Sequence, residues 1–109
     1  MGSDNADLIV TGSGVQIILG RGGNDCILAG SGDDFVVAGS GDDEVLAAQG
    51  NDQVVDGEGD DDLSGQSGND RLIGNNGDDA LNGGANKDFC VGGGGTDTAA
   101  QCEQVANVP

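Results

Sequence analysis

The chain has 109 residues, with twenty acidic side chains against three basic ones, a formal net charge of -17, and no His, Trp or Tyr. Such a surface repels phosphate, which excludes nucleic acid as a partner and disfavours an anionic membrane surface. With two Phe and 23 Gly the chain lacks the bulky side chains of an ordinary core, and no apolar run approaches the ~20 residues of a membrane span.

In chain order the sequence falls into units of nine residues. They are plainest at Gly20–Leu46, which reads GRGGNDCIL, AGSGDDFVV, AGSGDDEVL. Extended both ways, the frame covers Gly2–Pro109 in twelve units with no insertion. The eighth position holds Ile9, Ile18, Ile27, Val36, Val45, Val54, Leu63, Leu72, Leu81, Cys90, Ala99 and Val108. All are apolar in a chain that is only 35% hydrophobic, so the frame is not accidental. The sixth position is Asp in ten units, failing at Gln16 and Ala106. The fourth is Gly in nine units, and Asn5 and Asn86 replace it in the first and tenth. Asn is the residue that, after Gly, best tolerates positive φ, so a left-handed backbone is expected there.

Each unit divides into a six-residue turn rich in Gly, Asn and Asp and a three-residue strand whose middle residue points inward. A strand this short is stable only when stacked on copies of itself. Two units then make one 18-residue coil, with odd and even units on opposite sides. The expected fold is all-β: a parallel β-helix solenoid of about six such coils, with two short-stranded parallel sheets and a stack roughly 29 Å tall. One domain spans residues 1–109, with a degenerate N-terminal coil (2–19), regular repeats (20–100) and a C-terminal cap (101–109) in which the frame fails. The turn at Gly2-Ser3-Asp4-Asn5 is poor. No leader-like segment follows Met1, so a fragment of a longer precursor is expected, rather than a cytosolic protein, and Met1 is expected to have been added for expression.

Stacking sets the sixth-position Asp of one unit over that of the unit two further on, Asp25 over Asp43 and Asp34 over Asp52. Carboxylates one strand spacing apart repel, and a hard divalent cation between them turns repulsion into attraction. Calcium accepts six to eight oxygens, backbone carbonyls included, and glycine-rich turns expose carbonyls freely. Magnesium is disfavoured by its strict octahedral geometry, and zinc by the absence of His and the scattered Cys. The sixth-position carboxylates so stacked are Asp7, Asp25, Asp34, Asp43, Asp52, Asp61, Asp70, Asp79, Asp88 and Asp97, the set that the family resemblance below implies as metal ligands. The fifth-position residues Asp33, Asp42, Asp60 and Asp78 are expected to face solvent, as are Asp62, Glu44 and Glu58. Gaps between successive turns number five on the odd column and three on the even one. Up to about eight Ca²⁺ would nearly cancel the net charge.

From Gly20 to Ala100 the tandem pattern resembles the G-G-x-G-x-D-x-U-x repeats of the RTX (repeats-in-toxin, haemolysin-type) calcium-binding family. The resemblance implies a parallel β-roll that binds ions between stacked turns through the sixth-position Asp and turn carbonyls. It also implies a secreted, extracellular protein. The tail DFCVGGGGTDTAAQCE resembles the end of secreted actinobacterial members in which two Cys recur. That implies a Cys90–Cys102 disulfide capping the last coil, against the alternative of two free thiols. Cys26 is left over, either pairing between molecules or acting as a reactive thiol, or else serving as a small apolar surface residue.

Positions seven and nine face outward. In the first four units they are Leu8 and Val10, Ile17 and Leu19, Cys26 and Leu28, Phe35 and Val37, all apolar. Such a patch marks an interface, with either a second copy of the chain or a neighbouring domain of the parent protein. No His, no Tyr and a single Lys make an enzyme a poor reading. The expected role is a non-enzymatic calcium-dependent structural or interaction module that folds on binding metal. The alternatives are a ligand-binding, adhesive or ice-binding face on a calcium-loaded roll, or the C-terminal module of a secreted hydrolase.

Overall fold

The out-in-out triplets form strands in the computed structural model, which describes residues 2, 5–102 and 104–106. The strands are β1 (Leu8–Val10), β2 (Ile17–Leu19), β3 (Cys26–Leu28), β4 (Phe35–Val37), β5 (Glu44–Leu46) and β6 (Gln53–Val55). They continue with β7 (Asp62–Ser64), β8 (Arg71–Asn75), β9 (Ala80–Asn82), β10 (Phe89–Gly93), β11 (Thr98–Ala100) and β12 (Gln104–Ala106). Every pairing is parallel and skips one strand. Odd strands form one six-stranded sheet, β1-β3-β5-β7-β9-β11, and even strands the other, β12-β10-β8-β6-β4-β2. Ile9 lies beside Ile27 and Val45 beside Leu63, the 18-residue register of a coil. This is the parallel β-roll that the nine-residue period implies. No helix occurs among the described residues.

The core is one file of side chains between the two sheets. Ile18, Ile27, Val36, Val45, Val54, Leu63, Leu72 and Cys90 are wholly buried, and Ala29, Ala38 and Ala47, at the first position of their units, complete the packing. The molecule measures 31 × 26 × 13 Å along its principal axes. The smallest dimension is little more than the ~10 Å of two packed sheets, which is why aliphatic side chains suffice.

The turns are paired as regularly as the strands. Third-position residues bridge from coil to coil, Ser31 to Gln49 and Glu58 to Asn76 among them. The fourth position is left-handed as expected, with φ 119° at Gly50 and 77° at Asn86. From Arg21 to Gly93 the second position is also left-handed, Gly57 excepted, even where it carries a side chain: φ is 79° at Arg21, 74° at Ala48 and 73° at Gln66.

The nine-residue frame holds through β11 and then breaks. Cys90 pairs with Val105, 15 residues on, where the frame would put Val108. The break falls in the unit that lacks the repeat's Gly and Asp, and there a disulfide joins Cys90 to Cys102, with Cα atoms 6.1 Å apart. The chain returns to the sheet three residues early, and β12 covers the edge of β10. The expectations placed on Met1, Ser3, Asp4 and Val108 lie outside the described residues.

Candidate metal centre

The site is a pair of carboxylate columns, one along each side of the roll. Each sixth-position residue immediately precedes a strand, so the sheet register fixes its height. The Oδ1 of each such Asp accepts the backbone N–H of the equivalent residue one coil earlier. Asp43 accepts from Asp25 at 2.7 Å, Asp61 from Asp43 at 2.8 Å, and Asp79 from Asp61 at 3.0 Å. The even side repeats this: Asp52 accepts from Asp34 at 2.8 Å, Asp70 from Asp52 at 2.9 Å and Asp88 from Asp70 at 2.7 Å. Both columns reach into the degenerate first coil, where the amides of Asp7 and Gln16 donate to Asp25 and Asp34. Asp97 ends the odd column by accepting from Asp79.

Only one oxygen of each carboxylate is used in this way. The Oδ2 atoms of Asp25, Asp34, Asp43, Asp52, Asp61, Asp70, Asp79 and Asp97 are buried with no hydrogen-bond partner. The sixth-position residues from Asp25 to Asp97 are at most 3% exposed, while Asp7 in the first coil is half-buried. Burial pushes the carboxyls of Asp43 and Asp52 up to about 6 and that of Asp70 up to about 7. The amide hydrogen bonds oppose this rise, and the neighbouring carboxylates of the column add to it. Asp61 and Asp79 are raised for the same first reason, burial. A buried carboxylate oxygen with no donor calls for a cation or a proton. Hard, closely spaced, oxygen-only donors fit Ca²⁺.

The structure therefore brings the expected metal residues together in two files, with Asp7 at an end. It also gives the fifth-position residues a task not foreseen. Asp33, Asp42, Asp60 and Asp78 are exposed as expected, but they do not merely face water. Each Oδ1 accepts the amide of the fifth-position residue one coil later, at 2.8–2.9 Å. Asn24, Asn51 and Asn69 do the same. The signal was present in the sequence, because the fifth position is Asp or Asn in every unit from Asn24 to Asp78.

Asp56 was not singled out either. It stands at the first position, where the other units from Gly20 to Gly92 have Gly or Ala. It is 1% exposed. One carboxylate oxygen each from Asp43, Asp56 and Asp61 lie within 4.8 Å of one another. Burial first, then the charges of Asp61 and Asp43, push its carboxyl far up, against a hydrogen bond from the Gly57 amide.

Away from the columns, Cys26 is a free thiol, half-buried on the outer face and 3.9 Å from the Glu44 carboxylate. The outward apolar residues of the early coils are exposed as expected at Leu8, Val10, Ile17, Leu19 and Phe35, and Val15 joins them. Cys26, Leu28 and Val37 are half-buried. Farther along, the outer face carries Arg71 stacked over the Phe89 ring, 5.3 Å from its centroid.

Parallel short-stranded sheets, left-handed glycine turns and a buried carboxylate at each turn from Asp25 to Asp97 define a calcium-binding β-roll module. A family model described as the RTX calcium-binding nonapeptide repeat matches the sequence in four copies, over residues 1–36, 10–45, 37–72 and 64–99. The chain belongs to that family. No curated protein and no solved structure matches it.

Proposed function

We propose that this is a calcium-loaded β-roll module of a secreted protein, with no catalytic role, which folds as the ions bind. The ions lie between successive turns of each column. They are held by Asp7, Asp25, Asp43, Asp61, Asp79 and Asp97 on one side and by Asp34, Asp52, Asp70 and Asp88 on the other, with turn carbonyls completing the oxygen shell. Two columns with five and three gaps accommodate about eight ions. The observation that carries this reading is the file of buried Oδ2 atoms without donors. Without cations the roll would stack these charges in a dry turn, and the thin aliphatic core offers little to offset that cost.

Coupling of this kind makes metal binding a folding event. Extracellular modules typically bind calcium at about 10⁻⁴–10⁻³ M. Such an affinity would keep the chain unfolded inside a cell and fold it outside, as a secreted module requires. The regular repeats (20–100) then act as the ion-binding shaft, residues 2–19 as its degenerate first coil, and residues 101–109 as its cap.

The exposed apolar side chains cluster on the first coils, with Leu8 71% and Ile17 61% exposed. This supports an interface there, with a second copy or with a domain of the parent protein.

Calorimetric titration of the chain with Ca²⁺ tests the reading. Uptake of several ions per chain is expected, fewer in D52A than in the unaltered protein. A single ion, or none, would overturn it.

A further inference from the structure

Position one faces the position-six carboxylate that closes the same turn at Gly20, Gly65, Gly74 and Gly83. A Cβ on Gly74 would lie 2.3 Å from Asp79 Oδ2, and one on Gly65 equally close to Asp70 Oδ2. Small residues are therefore the rule there, and Asp56 is a charged exception in the turn that Asp61 closes. That turn is also locally reshaped. Gly57 donates its amide to Asp56 Oδ1 at 2.7 Å and does not take the left-handed conformation of Gly39 or Gly93 at the equivalent position. The hydrogen bond accounts for one carboxylate oxygen. The other, Oδ2, is buried without a partner, as are the Oδ2 atoms of Asp43 and Asp61.

We infer that Asp43, Asp56 and Asp61 together form a three-carboxylate divalent-cation site, and that it is the tightest calcium site of the chain. The inference rests on the calcium-roll reading and goes beyond it, because the repeat pattern assigns no ligand to position one. Two oxygens each about 2.4 Å from a calcium ion can be at most about 4.8 Å apart, and one oxygen from each of the three carboxylates meets that limit. Calcium affinity rises with the number of charged ligands. Elsewhere in the regular repeats a gap between turns is flanked by two sixth-position carboxylates, and here a third buried carboxylate adds its charge.

The test titrates Ca²⁺ alone into the full chain by calorimetry, for the unaltered protein, D56A and D56N. Ala stands at the same position in residues 29, 38 and 47, so D56A fits the turn. Asn keeps the volume and the Oδ1 acceptor for Gly57 while removing the charge. Both variants are expected to weaken the tightest step at least tenfold and to keep the remaining ions and the calcium-dependent β signal. If Asp56 only caps its turn, D56N titrates like the unaltered chain. That result, or a D56A isotherm superimposed on the original, overturns the inference and leaves the calcium roll standing. An unaltered chain that takes up no calcium overturns both.

Discussion

Asp42 and Asp43 are adjacent, and their carboxylates reach in opposite directions along the stack. Asp42 Oδ1 accepts the amide of Asp60, one coil later, at 2.9 Å, whereas Asp43 Oδ1 accepts that of Asp25, one coil earlier, at 2.7 Å. The pair thus clamps three successive turns of one column. The exposed member works through hydrogen bonding alone, and the buried member keeps an oxygen for metal. The two should separate by mutation. D42N leaves the acceptor in place and should change stability by less than about 0.5 kcal/mol. D42A should cost about 1 kcal/mol with no change in ion count, while D43A should lose bound calcium. Denaturation of the calcium-loaded protein, paired with calorimetric stoichiometry, reads both.

The second position of the turn stores strain. Ala48 adopts φ 74°, where a Cβ costs roughly 1–2 kcal/mol relative to Gly. A48G should therefore raise stability by about 1 kcal/mol, or about 4–8 °C in Tm. The reverse change two residues on should fail, because a Cβ on Gly50 would sit 2.0 Å from the Gly32 carbonyl oxygen. Thermal melts of A48G and G50A in excess calcium check this, with opposite signs expected.

Reduction should loosen one end only. The Cys90–Cys102 bridge closes a short loop and holds β12 against β10, and a loop of this size is worth roughly 3 kcal/mol on the entropic account. With reductant, hydrogen exchange should quicken around Gln104–Ala106 and β10, and remain slow in β4–β7. Uniform acceleration through the roll would argue against a local cap.

The pH dependence follows from the raised carboxyls. In the metal-free fold Asp43 and Asp52 titrate at about 6 and Asp70 at about 7, against an ordinary value of 3.8. The folded chain therefore holds more protons than the unfolded one between about pH 4 and 7. Its stability is greatest below about pH 4 and is lost as pH rises through 6 to 7. In chelator, acidification from pH 7.5 to 4.5 should increase the β signal. With calcium the protons compete with the metal, so apparent affinity should fall over the same acidification. Circular dichroism at fixed calcium activity measures both.

Period was the legible part of this sequence. Ile27, Val36 and Val45 announced the core, and Asp25, Asp34 and Asp43 announced the columns, because each recurs at one step of the coil. What depends on a side chain's direction was not legible. The Asn24–Asp78 ladder joins residues 18 apart through backbone amides, and polarity alone could not distinguish it from a solvated edge. Arg21 and Ala48 gave no sign of left-handed backbone, since neither residue type advertises it. Asp56 was hidden among seventeen Asp, although it broke the small-residue rule at position one. The three-residue shift at Val105 falls where the repeat's Gly and Asp have run out and the Cys90–Cys102 bridge closes the chain end, so no period was left to read.

The central claim is that the cations, not the aliphatic file, make the roll stable. Far-UV circular dichroism in excess chelator and then in saturating calcium, at pH 7.5, tests it most directly. The account predicts a disordered spectrum in chelator and a cooperative rise of β signal on adding calcium. The same β spectrum in both would contradict it.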